Sequence, residues 1–350
     1  MSIFKKNFTT ENLPQYLSFD GVVSGYEPFA IHKIAAEIGG KGPILYIARE
    51  GQKLDDLTHA LSFIEPQMPV VQLPSWDCLP YDRVSPNTAI SAKRMSALTN
   101  ISALLRNPHP AIILTTANAI MQKLPPHSMF EGQSITARPG QNLDMDKLVH
   151  HLEHNGFERV STVREIGDFA VRGGIVDLFA PGSEAPVRLD FFGDTLETVR
   201  AFDPASQRTT KTLKEFSLEP MSEITLTPEL ISKFRTNYIR SFGAASPNDA
   251  LYEAISEGRR FSGMEHWLPL FYDHLDTIFD YIGDIPVVFD HLAEEAMIER
   301  NKLIEDYYQA RLEQHDPKDS STPYNPVKPE ELYLTPRRYC FIIRKSRTSD

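Results

Sequence analysis

The apolar positions change their period twice along this chain. Pro43-Ile44-Leu45-Tyr46-Ile47-Ala48 is a short continuous apolar run of buried-strand type, followed by Leu54, Leu57, Leu61 and Ile64 at helical spacing. Val70–Leu73 and Ala111–Thr116 are two further strand candidates, each separated from its neighbours by helical pattern. Strands alternating with helices predict a parallel sheet covered on its faces. Between Val160 and Thr210 the pattern shortens to β-type runs broken by Gly173-Gly174, Pro181-Gly182-Ser183 and Gly193-Asp194, the punctuation of an antiparallel meander. In Val187–Phe192 the two-residue period puts Val187, Leu189 and Phe191 on a core face. Arg188, Asp190 and Phe192 take the other face, where an aromatic ring points to solvent.

Beyond Met221 the helical period returns. Thr227-Pro228 reads as an N-cap with proline in the first turn, opening a helix with Leu230, Ile231, Phe234 and Tyr238. Asp144 likewise caps a helix through about Asn155 that buries Leu148 and Leu152. Ile285–Phe289 reads as one more buried strand, and a long helix runs from about His291 to Gln314. The expected organisation is therefore a first α/β part over 1–130, a smaller mixed α+β insert over 131–220, and a second part over 221–315 that completes the first sheet. Asp316–Pro329, with four prolines, reads as a surface loop, so 316–350 is expected to be linker and tail, ending in a short basic run from Arg337 to Arg347.

Composition narrows the function classes. Of 350 residues, 41% are hydrophobic and 24% charged, as in an ordinary globular protein, and the length allows two or three domains. A net charge of −11 argues against a surface built mainly to hold nucleic acid, because phosphate binding needs clustered Lys and Arg. The two cysteines, Cys78 and Cys340, make neither a disulfide framework nor a zinc spacing, and a reducing cytoplasm is the simplest compartment. No apolar run approaches the roughly 20 residues of a membrane span.

Candidate chemistry is sparse. Where a nucleotide-binding sheet would carry a Gly-rich loop with lysine, this chain has Val22-Val23-Ser24-Gly25-Tyr26-Glu27-Pro28, before a helix with Ile31, Ile34 and Ile38. Glu27 sets a negative charge where phosphate would sit. Gly39-Gly40-Lys41-Gly42 precedes a strand instead of following one and reads as a turn. No nucleotide site and no cofactor are expected. The pair His150/His154 has zinc-like spacing but no third ligand, so a solvated helical face is expected and no metal. Asp177, Asp190 and Asp194 are assigned structural roles, with Asp190 placed to orient a neighbouring arginine; no catalytic grouping emerges. Arg172 and Arg188 read blandly as solvated strand arginines, in ion pairs of about 0–1 kcal/mol. They read sharply as interface anchors, a role in which Arg and aromatics are enriched.

The run Gly167-Asp168-Phe169-Ala170-Val171-Arg172-Gly173-Gly174, then Asp177-Leu178-Phe179, Arg188-Leu189-Asp190-Phe191-Phe192 and Phe202-Asp203 leading into Gln207-Arg208, closely resembles a domain shared by bacterial transcription-repair coupling factors and the excision-repair protein UvrB. Leu73-Pro74-Ser75-Trp76-Asp77-Cys78-Leu79-Pro80-Tyr81-Asp82 and Glu265-His266-Trp267-Leu268-Pro269-Leu270-Phe271 are similar to further coupling-factor segments. The resemblance spans most of 20–300. It implies a discontinuous, degenerate motor-like (P-loop-NTPase-type) parallel-sheet domain with the smaller domain inserted, as in UvrB. It further implies that the insert docks the damage sensor UvrA through Arg172, Arg188 and Phe192. Alternation supports that exposure for Arg188 and Phe192, whereas the Gly-Gly step leaves the facing of Arg172 ambiguous.

Only Asn87-Thr88-Ala89 separates Pro86 from the next helix, too short for the long aromatic hairpin with which UvrB clamps DNA; Trp76 and Tyr81 are expected to be structural. Intact coupling factors continue into an RNA-polymerase-binding domain and a double-stranded-DNA translocase that uses ATP and Mg. No Walker A or helicase acidic box occurs here, so the chain reads as the N-terminal piece of such a protein rather than a free-standing relative. In the family the docking surface is also covered by the rest of the protein, giving autoinhibition. The resemblance thus implies an adaptor that recruits UvrA to stalled RNA polymerase. The alternative is a DNA-engaging enzyme of the UvrB or helicase type.

Overall fold

The computed structural model describes residues 21–23, 25–37, 42–130, 135–313 and 324–335. The Gly39–Lys41 part of the expected turn, Ile38, Pro317, Pro323 and the basic run after Pro336 lie outside the described residues. The first stretch runs α1 (Glu27–Glu37), β1 (Ile44–Ala48), α2 (Gln52–Ile64), β2 (Val70–Leu73), α3 (Thr88–Arg106), β3 (Ile112–Thr116) and α4 (Ala117–Met121). The middle stretch holds β4 (Ile135–Ala137), α5 (Met145–His154), β5 (Glu158–Arg159), β6 (Asp168–Arg172), β7 (Ile175–Leu178), β8 (Val187–Phe192), β9 (Thr195–Phe202), β10 (Thr209–Leu213) and β11 (Phe216–Leu218). The chain then forms α6 (Pro228–Phe242), α7 (Ala250–Ser256), α8 (Ile278–Ile282), β12 (Val287–Phe289), α9 (Ala293–Glu313) and α10 (Pro329–Leu332).

The first sheet has the order β12-β1-β3-β2 and every pairing in it is parallel. Its faces follow from strand alternation. Ile44, Tyr46 and Ala48 pack with Ile31 and Ile34 of α1 and with Leu54, Leu57 and Leu61 of α2. Leu45 and Ile47 point the other way, into a cluster with Met95, Leu98 and Ile101 of α3, Ile278 and Ile282 of α8, and Met297 of α9. A strand buried on both faces needs no polar alternation, which is why β1 reads as unbroken apolar sequence. β12 comes from beyond the middle stretch and adds to the edge beside β1, so one sheet is built from both ends of the chain.

The middle stretch folds into a second sheet, β10-β9-β8-β7-β6-β5, antiparallel except at β5. Its apolar face (Phe169, Val176, Leu178, Val187, Leu189, Leu196, Val199) packs on Leu148 and Leu152 of α5 and reaches Ala92 of α3. Asp144 caps α5 by accepting from the Lys147 amide at 2.9 Å, and Thr227 caps α6 by accepting from Leu230 at 3.3 Å. Where the chain returns to the parallel-sheet body, Glu223 is 4% exposed and accepts from Arg94 Nε of α3 at 2.6 Å.

One region differs from its sequence reading. Residues 316–350 read as linker and tail, yet Tyr324, Val327, Leu332, Tyr333 and Leu334 are all buried. Tyr324, Val327, Leu332 and Tyr333 pack with Trp76, Tyr81 and Trp267. The Trp267 indole donates to the Asn325 carbonyl at 2.8 Å, and the Leu334 amide to the Met121 carbonyl at 2.7 Å. Proline spacing removed the helical and strand periods that would have betrayed this strap, but its apolar side chains fill a groove between α4, α9 and the Met264–Leu270 turn. Among the described residues, no helix is long and apolar enough to cross a membrane.

Candidate protein-docking face

The second sheet has one face in the core and a second that is covered at one end by Val160 and Val163 over Ala170 and Phe202 but open towards the hairpin tips, and register decides what that open part carries. In an antiparallel pair, residues directly opposite share a face. Arg172 pairs with Ile175, Ile175 with Asp190, and Asp190 with Thr198. One row along, Ala170 pairs with Asp177, Asp177 with Arg188, and Arg188 with Arg200. Phe192 pairs with Thr195 at the tip of the β8–β9 hairpin. Arg172, Arg188 and Phe192 therefore lie on the same face, and the Gly173-Gly174 step does not flip Arg172 away from it.

The two hairpin tips are locked together. Gly173 and Gly193 take φ of +59° and +58°, the left-handed region that tight hairpin turns require. Phe191 donates its amide to the Gly174 carbonyl at 2.7 Å, and a Cβ on Gly174 would lie 2.8 Å from the Phe191 carbonyl oxygen. Only glycine allows this approach, which sets the spacing between Arg172 and Phe192.

The three side chains stand in different environments. Phe192 is 76% exposed. Arg172 is exposed and donates through Nη2 to the Ser161 carbonyl and, at 3.4 Å, to the Thr162 hydroxyl. Arg188 is mostly covered. Its Nε and Nη2 donate to the two oxygens of Asp177, each at 2.7 Å, and its guanidinium lies 4.9 Å from the ring centre of buried Phe202. The hydrogen bonds it donates to Asp177 push its pKa above the usual arginine range, against an opposing effect of burial. Next to it Asp190 binds Arg200 at 2.7 Å and accepts from Thr198, so Asp190 does orient an arginine. Asp177, Phe202 and Gly174 are parts of the face that alternation within one strand does not reveal. Only strand register brings Asp177 opposite Arg188.

At the carboxyl end of the parallel sheet stands a separate polar group. Glu27, in the first turn of α1, accepts from the Gly25 amide at 2.6 Å and from Lys53 Nζ at 3.1 Å, and Lys53 reaches Asp290 after β12 at 2.8 Å. Burial works against ionising Glu27, but the hydrogen bonds from backbone amides and Lys53 outweigh it and hold its carboxyl below the usual range. His150 and His154 sit with ring centres 3.9 Å apart and their planes inclined at 45° on α5. Among the described residues, no three His, Cys, Asp or Glu side chains are placed to hold a metal ion.

A family model described as the UvrB interaction domain matches residues 135–224, which contain the whole of this face. The transcription-repair-coupling factor of Rickettsia bellii is 37% identical over 292 residues, covering 83% of this chain and 26% of that protein. That of Escherichia coli is 34% identical over 251 residues (71% and 21%), and that of Haemophilus influenzae 31% over 314 (89% and 26%). An open-faced antiparallel sheet inserted in a parallel α/β body thus defines a protein with a UvrB interaction domain. The chain belongs to the transcription-repair-coupling factor family, in its N-terminal, UvrB-homologous region. It spans about a quarter of the length of the curated relatives it matches.

Proposed function

We propose that this chain is the UvrA-recruiting adaptor module of a coupling factor that links stalled RNA polymerase to nucleotide-excision repair. The observation that carries the reading is Phe192, held almost bare at a hairpin tip on the same sheet face as Arg172 and Arg188. An exposed ring beside arginine, fixed on strands instead of a loose loop, is the composition of a binding hot spot. Contacts with RNA polymerase and double-stranded DNA, and any ATP- and Mg-dependent translocation, fall to the rest of such a protein.

The parallel-sheet body serves this adaptor as a scaffold descended from a motor-like domain. In nucleotide-binding sheets an anion sits at a helix N-terminus beyond the strand ends. Here that end is occupied by the chain's own Glu27 carboxylate, on the Gly25 amide and sharing Lys53 with Asp290. Two carboxylates to one lysine leave the spot negative, which disfavours phosphate.

Isothermal titration of UvrA into the 350-residue chain tests the adaptor reading. Phe192→Ala and Arg172→Ala are each expected to weaken binding by at least tenfold, since hot-spot truncations cost about 2 kcal/mol or more. Wild-type affinity in both variants would overturn it. An ATPase assay on the same chain separates the adaptor from a DNA-engaging UvrB-like enzyme; turnover would favour the enzyme.

A further inference from the structure

The three side chains of the face differ chemically, and the residue that sets the difference is one that no partner touches. Asp177 is 2% exposed, so its carboxylate, although on this face, is covered by its neighbours. It grips Arg188 from the neighbouring strand, side by side on the same face, with two bonds of 2.7 Å, while Phe202 closes the flank. Two parallel N–H···O bonds fix the plane of a guanidinium as well as its position. Arg188 is therefore presented in one orientation, with its charge cancelled by the carboxylate beside it. Arg172 is different. Among the described residues no carboxylate lies within ion-pair distance of it, and its bonds run to a carbonyl and a hydroxyl.

We infer that Asp177 is a positioning residue of the docking face. It holds Arg188 ready for the partner and cancels its charge, leaving Arg172 to supply the net attraction for an acidic group beside the pocket that takes Phe192. The inference rests on the adaptor reading and adds to it a division of labour. A rigid arginine gives up little conformational freedom on binding, whereas an interface side chain that must be immobilised loses affinity to ordering. Arg172, the arginine of the three-residue patch without a carboxylate on it, gives the encounter its dependence on salt, because attraction between exposed charges is screened as ionic strength rises.

UvrA binding by the full 350-residue chain is measured across a range of ionic strength for wild type, Arg172→Ala, Phe192→Ala, Asp177→Asn and Asp177→Glu. In Asp177→Asn, Arg188 is loosened and its charge is no longer cancelled. Binding at high ionic strength is expected to fall roughly tenfold, about 1.4 kcal/mol, and the salt dependence to steepen. In Asp177→Glu the charge stays but the extra methylene displaces the carboxylate, so affinity should fall with the salt dependence unchanged. That second variant keeps the test alive if the first fails to fold. A general folding defect lowers the active fraction in both variants and steepens neither salt curve. Wild-type affinity in the Asp177 variants, or an affinity loss in Asp177→Asn with an unchanged salt curve, overturns the positioning role. Undiminished binding in Arg172→Ala and Phe192→Ala overturns instead the adaptor reading beneath it.

Discussion

Arg94→Met is expected to be among the most damaging single substitutions outside the docking face. Arg94 is fully buried on α3, and its partner Glu223 lies on the segment that brings the chain back from the inserted domain. Around the 2.6 Å bond between them, Arg94 Nη1 donates to the Pro74 carbonyl at 2.7 Å and the Trp76 indole to Glu223 Oε1 at 3.1 Å. Removing the guanidinium leaves a buried carboxylate with only the indole N–H for company, and stripping one partner from a buried ion pair costs about 3–5 kcal/mol. Glu223 Oε2 and Arg94 Nη2 have no hydrogen-bond partner, so the pair is incompletely satisfied even in the native fold. For such a pair, replacing both members with apolar residues of similar size is neutral or stabilising by about 1–4 kcal/mol. Arg94→Met with Glu223→Leu should therefore recover most of what Arg94→Met loses. Urea unfolding followed by tryptophan emission is the assay, because Trp76 touches the pair and is one of only two tryptophans. With a urea slope of about 3 kcal/mol/M, the single variant should lower the midpoint by about 1 M or more. A loss below about 1 kcal/mol in the single variant, or a double variant no more stable than the single, refutes the reasoning.

Two further expectations come from the same boundary and from the hairpin tips. Glu219, between Gly182 and Ser96, is pushed up by burial to about 7 from 4.5, partly offset by a hydrogen bond from Ser96. A raised carboxyl pKa contributes stability that is complete below about 4.5 and disappears as pH rises through about 7. Unfolding midpoints should thus fall across that window in wild type and fall less steeply in Glu219→Gln; parallel profiles would rule the residue out. Gly174→Ala, whose Cβ would meet the Phe191 carbonyl at 2.8 Å, should part the two hairpin tips and weaken UvrA binding. Gly173→Ala meets nothing within 4 Å and should show only the roughly 1–2 kcal/mol strain of a left-handed alanine, with affinity kept. Equal affinities for the two variants would show that tip spacing is irrelevant.

What was legible in the sequence is local. β1, α2, β2 and β3 stand out because each carries its own period, and Asp144 and Thr227 announce α5 and α6 by capping chemistry written within three residues. The open face of β8 is legible for the same reason, since alternation needs only neighbours. Pairings between distant strands are not. Asp177 and Arg188 stand 11 residues apart in sequence, and nothing short of the register of β7 on β8 identifies the carboxylate as the arginine's clamp. The strap at 324–335 hid for another reason. Its buried residues answer to a groove assembled by α4, α9 and the Met264–Leu270 turn, so they carry no period of their own.

Phe192 marks the place where folding alone fails to account for a residue. The sheet's apolar face is complete without it, from Phe169 through Val199, and its ring adds nothing to that cluster. A solvent-facing phenyl ring forgoes about 1.5–3 kcal/mol that burial would supply. A hydrophilic residue there would serve the hairpin equally well, since β8 keeps its register through Thr195 regardless. Sequences tend to break their own patterning at functional sites. Here the forgone burial is of the size that one ring entering a partner's pocket would recover, and the stiff Gly174 contact behind it holds the ring where such a pocket could receive it.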